Sequence, residues 1–164
     1  MMSSQTATVT LPADDQIVIT REFDAPARLV FKAYTTPELV KQWWSGQRGK
    51  VTSAEIDLRV GGRWRYVMVT DDGGQEVAFH GEYREIVPGE RLVSTEVYEM
   101  PGAPPDAEGT LNTATFAELD GRTRLTVLVQ CPSKDIRDAI IDSGMEGGMQ
   151  EAMDRLEQVA ASLA

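Results

Sequence analysis

Between Val51 and Gln130 the chain repeats one pattern: a run of alternating apolar and polar residues, a turn signal, and another run. Thr52–Val60 stops at Gly61-Gly62, Arg63–Thr70 at Asp71-Asp72-Gly73-Gly74, and Gln75–Val87 at Pro88-Gly89. Glu90–Glu99 runs into Met100–Gly109, Thr110–Leu119 turns at Asp120-Gly121, and Arg122–Gln130 completes the series. Six such runs with no helical pattern between them predict an antiparallel meander rather than βαβ units. One face of that sheet has to be covered by something outside it.

The cover is legible further along. Met145, Met149, Met153, Leu156, Ala160 and Leu163 recur at spacings of 4, 4, 3, 4 and 3, which is one apolar stripe on a helix of about five turns. Ser133–Asp142 reads as a shorter helix broken near Ser143-Gly144, because glycine is costly inside a helix. Upstream of the meander, residues 17–23 alternate as a strand that ends at Asp24-Ala25-Pro26. Pro26 suits a helix's first turn, with Asp24 or Ala25 at the cap, and that helix runs to Thr35-Thr36. Thr36-Pro37 opens a second short helix reaching about Trp44. The predicted order is β-α-α-β6-α, an α+β fold with a curved antiparallel sheet wrapped around the long C-terminal helix. At 164 residues one domain is expected, spanning 15–164, with the small polar residues 1–14 as a flexible N-terminal segment.

Parity within the strands assigns the faces. Trp64, Tyr66 and Met68, then Val77, Phe79 and Tyr83, then Phe116, then Leu125, Val127 and Val129 share the apolar parity. Arg63, Arg65, His80, Glu82, Arg84, Arg122 and Arg124 occupy the other and are expected to face solvent. A strongly curved sheet gripping one helix often leaves its interior incompletely filled. A gap lined by Trp, Tyr, Phe and Met is a small-molecule pocket.

Composition removes most alternatives. The net charge is −10, with 16 basic residues scattered among 26 acidic ones, so nucleic acid and anionic membrane are poor partners. No apolar run approaches the roughly 20 residues of a membrane span, and Met1–Thr8 resembles no signal peptide, so a cytoplasmic protein is expected. One cysteine, Cys131, and one histidine, His80, leave no internal disulfide, too few soft ligands for zinc, and no evident Cys-His or Ser-His-acid constellation. No phosphate-cradling glycine motif opens a helix. No catalytic residue, metal or cofactor is therefore assigned.

Five stretches, in order, carry a family likeness: FDAPARLVFKAYTTPELVKQWW (23–44), DLRVGGRWR (57–65), FHGEYREIVP (79–88), FAELDGRTRLT (116–126) and GMEGGMQEAMDRL (144–156). They resemble the motifs of the START-like (SRPBCC) superfamily, in the branch likened to the C-terminal domain of the activator of the heat-shock protein 90 ATPase. The resemblance covers nearly the whole chain from about Gln16. It implies the helix-grip fold, with a deep cavity between sheet and C-terminal helix closed at one end by two short helices. It also implies a range of functions, from lipid, polyketide or hormone binding to cyclase activity or a chaperone contact. One position departs: the family's G-M-x-x-G-W reads Gly144-Met145-Glu146-Gly147-Gly148-Met149, a thioether where the family has an aromatic ring. This implies a roomier or more adaptable pocket.

The candidate ligand-binding residues are Trp43, Trp44, Trp64, Tyr66, Met68, Phe79, Tyr83, Phe116, Val127, Met145, Met149 and Met153. Adjacent helical side chains diverge by about 100°, so Trp43 and Trp44 cannot share one face. One ring is expected in the core and the other at the cavity's end. Tyr66 and Tyr83 are candidate polar contacts, since a phenol in an apolar interior seeks a partner. Asp57 with Arg59 is read as an exposed ion pair, His80 as a surface residue, Cys131 as a buried inert thiol, and Met100–Gly109 as a candidate gate beside the mouth. The expected function is non-enzymatic binding of a small hydrophobic or aromatic molecule. A cyclase or aromatase-like enzyme and a chaperone ATPase regulator acting through an outer surface stand as alternatives, with a homodimer or chaperone contact as further partners.

Overall fold

The computed structural model describes residues 6–71, 73–99 and 109–164. The elements in chain order are β1 (Thr8–Thr10), β2 (Gln16–Phe23), α1 (Ala27–Thr35), α2 (Pro37–Trp43), β3 (Gly49–Ile56), β4 (Arg63–Thr70), β5 (Glu76–Val87), β6 (Arg91–Glu99), β7 (Thr110–Leu119), β8 (Arg122–Gln130), α3 (Lys134–Asp142) and α4 (Met145–Ser162). The strands form one eight-stranded sheet in the order β1-β2-β8-β7-β6-β5-β4-β3, and its pairings are antiparallel. Apart from β2 meeting β8, each neighbour in space is a neighbour in sequence. The six-strand meander and the helices around it are as the patterning predicts.

Turn chemistry places several boundaries. Asp120 and Gly121 both take positive φ, 54° and 80°, the geometry of a two-residue hairpin turn between Leu119 and its partner Arg122. Pro37 stands at the first position of α2, as predicted. Pro26 differs: it is itself the cap of α1, in an extended conformation. Its lack of a side-chain acceptor is offset by Glu118 on β7, whose Oε1 accepts the Ala27 N–H at 2.9 Å. The expected strand over 52–60 begins earlier, at Gly49, and stops at Ile56. Beyond it the chain folds back on itself, with the Arg59 N–H bonded to the Asp57 carbonyl and the Gly62 N–H to the Arg59 carbonyl. A Cβ on Gly62 would come within 2.1 Å of the Asp57 carbonyl, so the tight loop requires glycine there.

Of the N-terminal residues expected to be loose, 1–5 lie outside the described residues and 8–10 form β1. Thr8–Thr10 pair with β2, and the Gln150 amide of α4 both accepts from Ala7 N–H and donates to Ala7 C=O. A three-residue strand is too short for period-two patterning to reveal, and its tie to α4 is distant in sequence.

The core lies between the concave sheet face and the helices. Ile17, Phe23, Leu125, Leu156, Val30, Val40 and Thr123 are almost wholly buried. Arg21 points inward from β2 and clamps α4: its Nη1 donates to the Met153 carbonyl at 2.7 Å and its Nη2 meets Asp154 at 3.0 Å and Glu157 at 3.3 Å. Glu157 also accepts the Asp24 N–H at 2.8 Å, so one carboxylate fixes both the end of β2 and the helix.

Candidate functional site

The tryptophan pair divides between two environments. Trp43 is buried, and its indole N–H donates to the Ala33 carbonyl at 2.9 Å, locking α2 onto α1. Trp44, at the helix's last turn, is half-buried and meets Tyr66 on β4 and Phe79 on β5, with ring centroids 5.3 and 5.1 Å away. Tyr66 continues to Trp64 at 4.7 Å, and Phe79 stacks on Tyr98 at 4.9 Å. These rings line β4, β5 and β6 on the concave parity, because Tyr66 opposes Phe79 and Phe79 opposes Tyr98 in register. Tyr98, at the outer end of this row, is 45% exposed.

A second aromatic group covers the floor. Phe116 on β7 meets Phe31 and Tyr34 of α1 edge-on, at 5.4 and 5.6 Å, and Tyr34 also packs on Trp43. Val127 is buried on β8 opposite Ala114. Met68 is buried opposite Val51 and Val77. On α4, Met153 is buried, whereas Met145 and Met149 are half-buried against the same core. The Gly81–Trp64 pairing is close: a Cβ on Gly81 would fall 2.5 Å from the indole nitrogen, which donates to the Thr95 carbonyl at 3.2 Å.

Polar groups stand among these rings. Glu96 of β6 opposes Thr110, and Ser94 opposes Asn112, so Glu96, Ser94 and Asn112 share the concave side with Phe116. The Thr110 hydroxyl donates to Asn112 Oδ1 at 2.8 Å, and Asn112 Nδ2 donates to Glu96 Oε1 at 2.7 Å. This chain fixes the amide's orientation and aims the carboxyl. Burial raises the Glu96 pKa above the usual carboxylate range, and the Asn112 hydrogen bond offsets part of that rise. Burial likewise raises the phenols of Tyr34, Tyr66 and Tyr83, with Glu96 adding to Tyr34 and Tyr66. Among the described residues none of these three hydroxyls has a hydrogen-bond partner, and none is sealed from accessible space.

Tyr34, Asn112 and Tyr98 are not among the residues the sequence singles out. On β6 both parities mix apolar and polar residues, so no pattern assigns Glu96 a side. The usable signal lay on β7, where Phe116 carries Asn112 inward two pleats away.

The remaining candidates sit elsewhere. Asp57 and Arg59 form an exposed pair at 2.8 Å, in the β3–β4 loop rather than on a strand. His80 faces outward with its Nδ1 2.8 Å from Glu99, a carboxylate that Arg65 and His80 together pull down to about 2. Cys131 is buried and its thiol is pushed up by that burial, the opposite of an activated nucleophile. The Met100–Gly109 segment lies outside the described residues except for Gly109. No group of three or more metal-ligating side chains occurs among the described residues. An open depression of ≈ 560 Å³ is lined by Glu55, Asp57, Arg63, Arg65 and His80 together with Ile56, Trp64 and Gly81.

A curved meander closed on its first long strand and covered by a C-terminal helix defines a helix-grip domain of the START-like class. The chain belongs to the family described as Activator of Hsp90 ATPase homolog 1-like protein, whose profile matches residues 24–161. It is similar to a crystal structure of a Rhodobacter sphaeroides protein at 25% identity and TM-score 0.85, covering 96% of this chain and 99% of that one. It is similar as well to a Chromobacterium violaceum protein at 27% identity and TM-score 0.77, covering 90% and 98%. An AHSA1-like protein from Aeromonas hydrophila shares the fold at 20% identity and TM-score 0.63, covering 89% and 93%. No curated protein matches the chain. No helix among the described residues is long and apolar enough to cross a membrane.

Proposed function

We propose that the protein binds a small apolar or aromatic molecule, without catalysing its conversion, in the concave interior between the sheet and α4. One observation carries this reading: Trp44, Tyr66, Phe79 and the tyrosine hydroxyls face inward, yet several inward side chains keep accessible surface. Glu96 is the clearest case, deep enough for its charge to be disfavoured and still only half-buried. Side chains that are desolvated but not packed border a space rather than fill one. The binding-type fold of the family supports the same conclusion. The dozen side chains singled out from the sequence are proposed as its walls, with Trp43 supporting Trp44 from behind. A cytoplasmic location fits this role.

The test is native mass spectrometry of protein purified from a heterologous host, followed by tryptophan-fluorescence titration with a panel of apolar compounds. A co-purifying mass, or a saturable emission change that Trp44→Phe diminishes and Trp43→Phe does not, is the expected result. An unliganded mass with no saturable change for any compound would reject the reading.

A second reading, acid–base chemistry of the cyclase type, is favoured by the half-buried carboxyl of Glu96, whose charge is disfavoured by its burial. It requires a ligand whose reacting atom reaches that carboxyl. Regulation of a chaperone ATPase through an outer surface draws on the family's description alone, and no residue of the site bears on it.

A further inference from the structure

The cavity proposed above has one polar corner, and the chemistry of that corner narrows the ligand. Glu96 uses one carboxyl oxygen to accept from Asn112, leaving the other without a partner among the described residues. Tyr34 approaches from α1, Tyr66 from β4 and Tyr83 from β5, and their hydroxyls make no hydrogen bond to described residues. Four groups able to donate or accept, on four elements, therefore border one apolar interior: Tyr83 opposes Ser94 and Ser94 opposes Asn112, Tyr66 opposes Phe79, and Tyr34 packs on Phe116.

Equally informative is the sign of the charge there. Arg21 is the one basic side chain among the buried residues of the sheet's concave face, and the α4 carbonyl and the carboxylates of Asp154 and Glu157 engage it. No basic group contributes to the shift of Glu96. An anionic ligand would meet a carboxyl and three phenols and no compensating cation, so its desolvation would go unrepaid. A hydroxyl or ketone oxygen suits the same groups, since a neutral carboxyl or phenol donates to it and either accepts from a hydroxyl.

We propose that Glu96, positioned by Asn112 and assisted by Tyr34, Tyr66 and Tyr83, is the polar anchor of the cavity and selects uncharged aromatic molecules bearing a hydroxyl or ketone oxygen, against carboxylates of the same size. This inference rests on the cavity reading and adds to it a ranking that the cavity alone does not impose.

Three probes of one shape separate the two: naphthalene, 2-naphthol and 2-naphthoate, each titrated by NMR into methionine-methyl-labelled protein at neutral pH. The expected order is 2-naphthol about tenfold tighter than naphthalene, the worth of one well-made buried hydrogen bond, with 2-naphthoate weakest. Glu96→Leu is expected to bring 2-naphthol to the affinity of naphthalene and to leave naphthalene within about twofold. If naphthalene binds and 2-naphthol is no tighter, or 2-naphthoate is tightest, the anchor is wrong and the cavity stands. Retention of the full 2-naphthol preference in Glu96→Leu would also remove Glu96 from the role. If none of the three saturates, the cavity reading falls and the anchor with it. Should Glu96→Leu fail to fold, the wild-type ranking alone decides.

Discussion

The two halves of the concave face solve different problems. Around Ile17, Phe23, Leu125 and Leu156 the interior is closed: these side chains are at most 1% exposed, and the inward cation beside them, Arg21, is held by three acceptors. Under β4, β5 and β6 the same face carries tilted and edge-on rings, the phenols of Tyr66 and Tyr83, which make no hydrogen bond to described residues, and a carboxyl whose charge is disfavoured. The first half is built as a core of fully buried apolar side chains. The second leaves polarity unsatisfied in an apolar setting, which is costly for stability and useful for recognition. Trp43 and Trp44 straddle the division, one indole bonded to the Ala33 carbonyl and the other meeting the open row of rings.

Truncations should expose this contrast most strongly. Phe23→Ala or Leu156→Ala is expected to destabilise by about 3–5 kcal/mol, because nothing nearby can collapse into the space. Phe79→Ala, half-buried beside an exposed Tyr98, should cost less, roughly 1–2 kcal/mol. Urea denaturation of the three variants checks this, and equal losses would mean that both halves are packed alike. Arg21→Met is the intermediate case. It removes the β2–α4 clamp, yet Asp154 is 58% exposed and can rehydrate, so a loss of about 2 kcal/mol is expected.

The acids give smaller effects of opposite sign. Glu96 has its pKa raised by folding, so the unfolded chain releases that proton first, and wild-type stability falls as pH rises above the ordinary value of 4.5 toward the folded one. Glu96→Gln should therefore raise the melting midpoint near pH 8 and change it little near pH 4. Identical shifts at both pH values would show that Glu96 is not desolvated. Glu99 behaves in the reverse way: with its folded pKa near 2, its contribution is complete above 4.5 and disappears as pH falls toward 2. Glu99→Gln is expected to cost under about 1 kcal/mol at neutral pH, because its partners Arg65 and His80 are substantially exposed, and the loss should vanish in acid.

The legibility of the chain follows the same division. Strands β4, β7 and β8 match their predicted bounds because turn residues with positive φ punctuate them, and β4 and β8 each add one clearly apolar parity. Serine caps α3 as expected of a helix start, with Ser133 accepting the Ile136 N–H. The strand β1 escaped notice because three residues carry too little period, and the end of β3 because Leu58 and Val60 continue an alternation that the loop interrupts. In the site, the rings of Trp44, Trp64, Tyr66, Phe79 and Phe116 were readable since large apolar side chains declare a face, whereas Glu96 and Asn112 were not, since a polar residue on a strand defaults to solvent. Its inward placement is known only once the β6–β7 register is known.

The most direct test of the central claim is a map of which methyl groups move when naphthalene is titrated into protein labelled at methionine, isoleucine and leucine methyls. Saturable shifts are expected at Met68, Met145 and Met149, with Ile17, Leu125 and Leu156 unmoved, so that the ligand reports the open half and spares the closed one. Shifts absent throughout, or spread over exposed Leu11, Leu58 and Leu119, would contradict it.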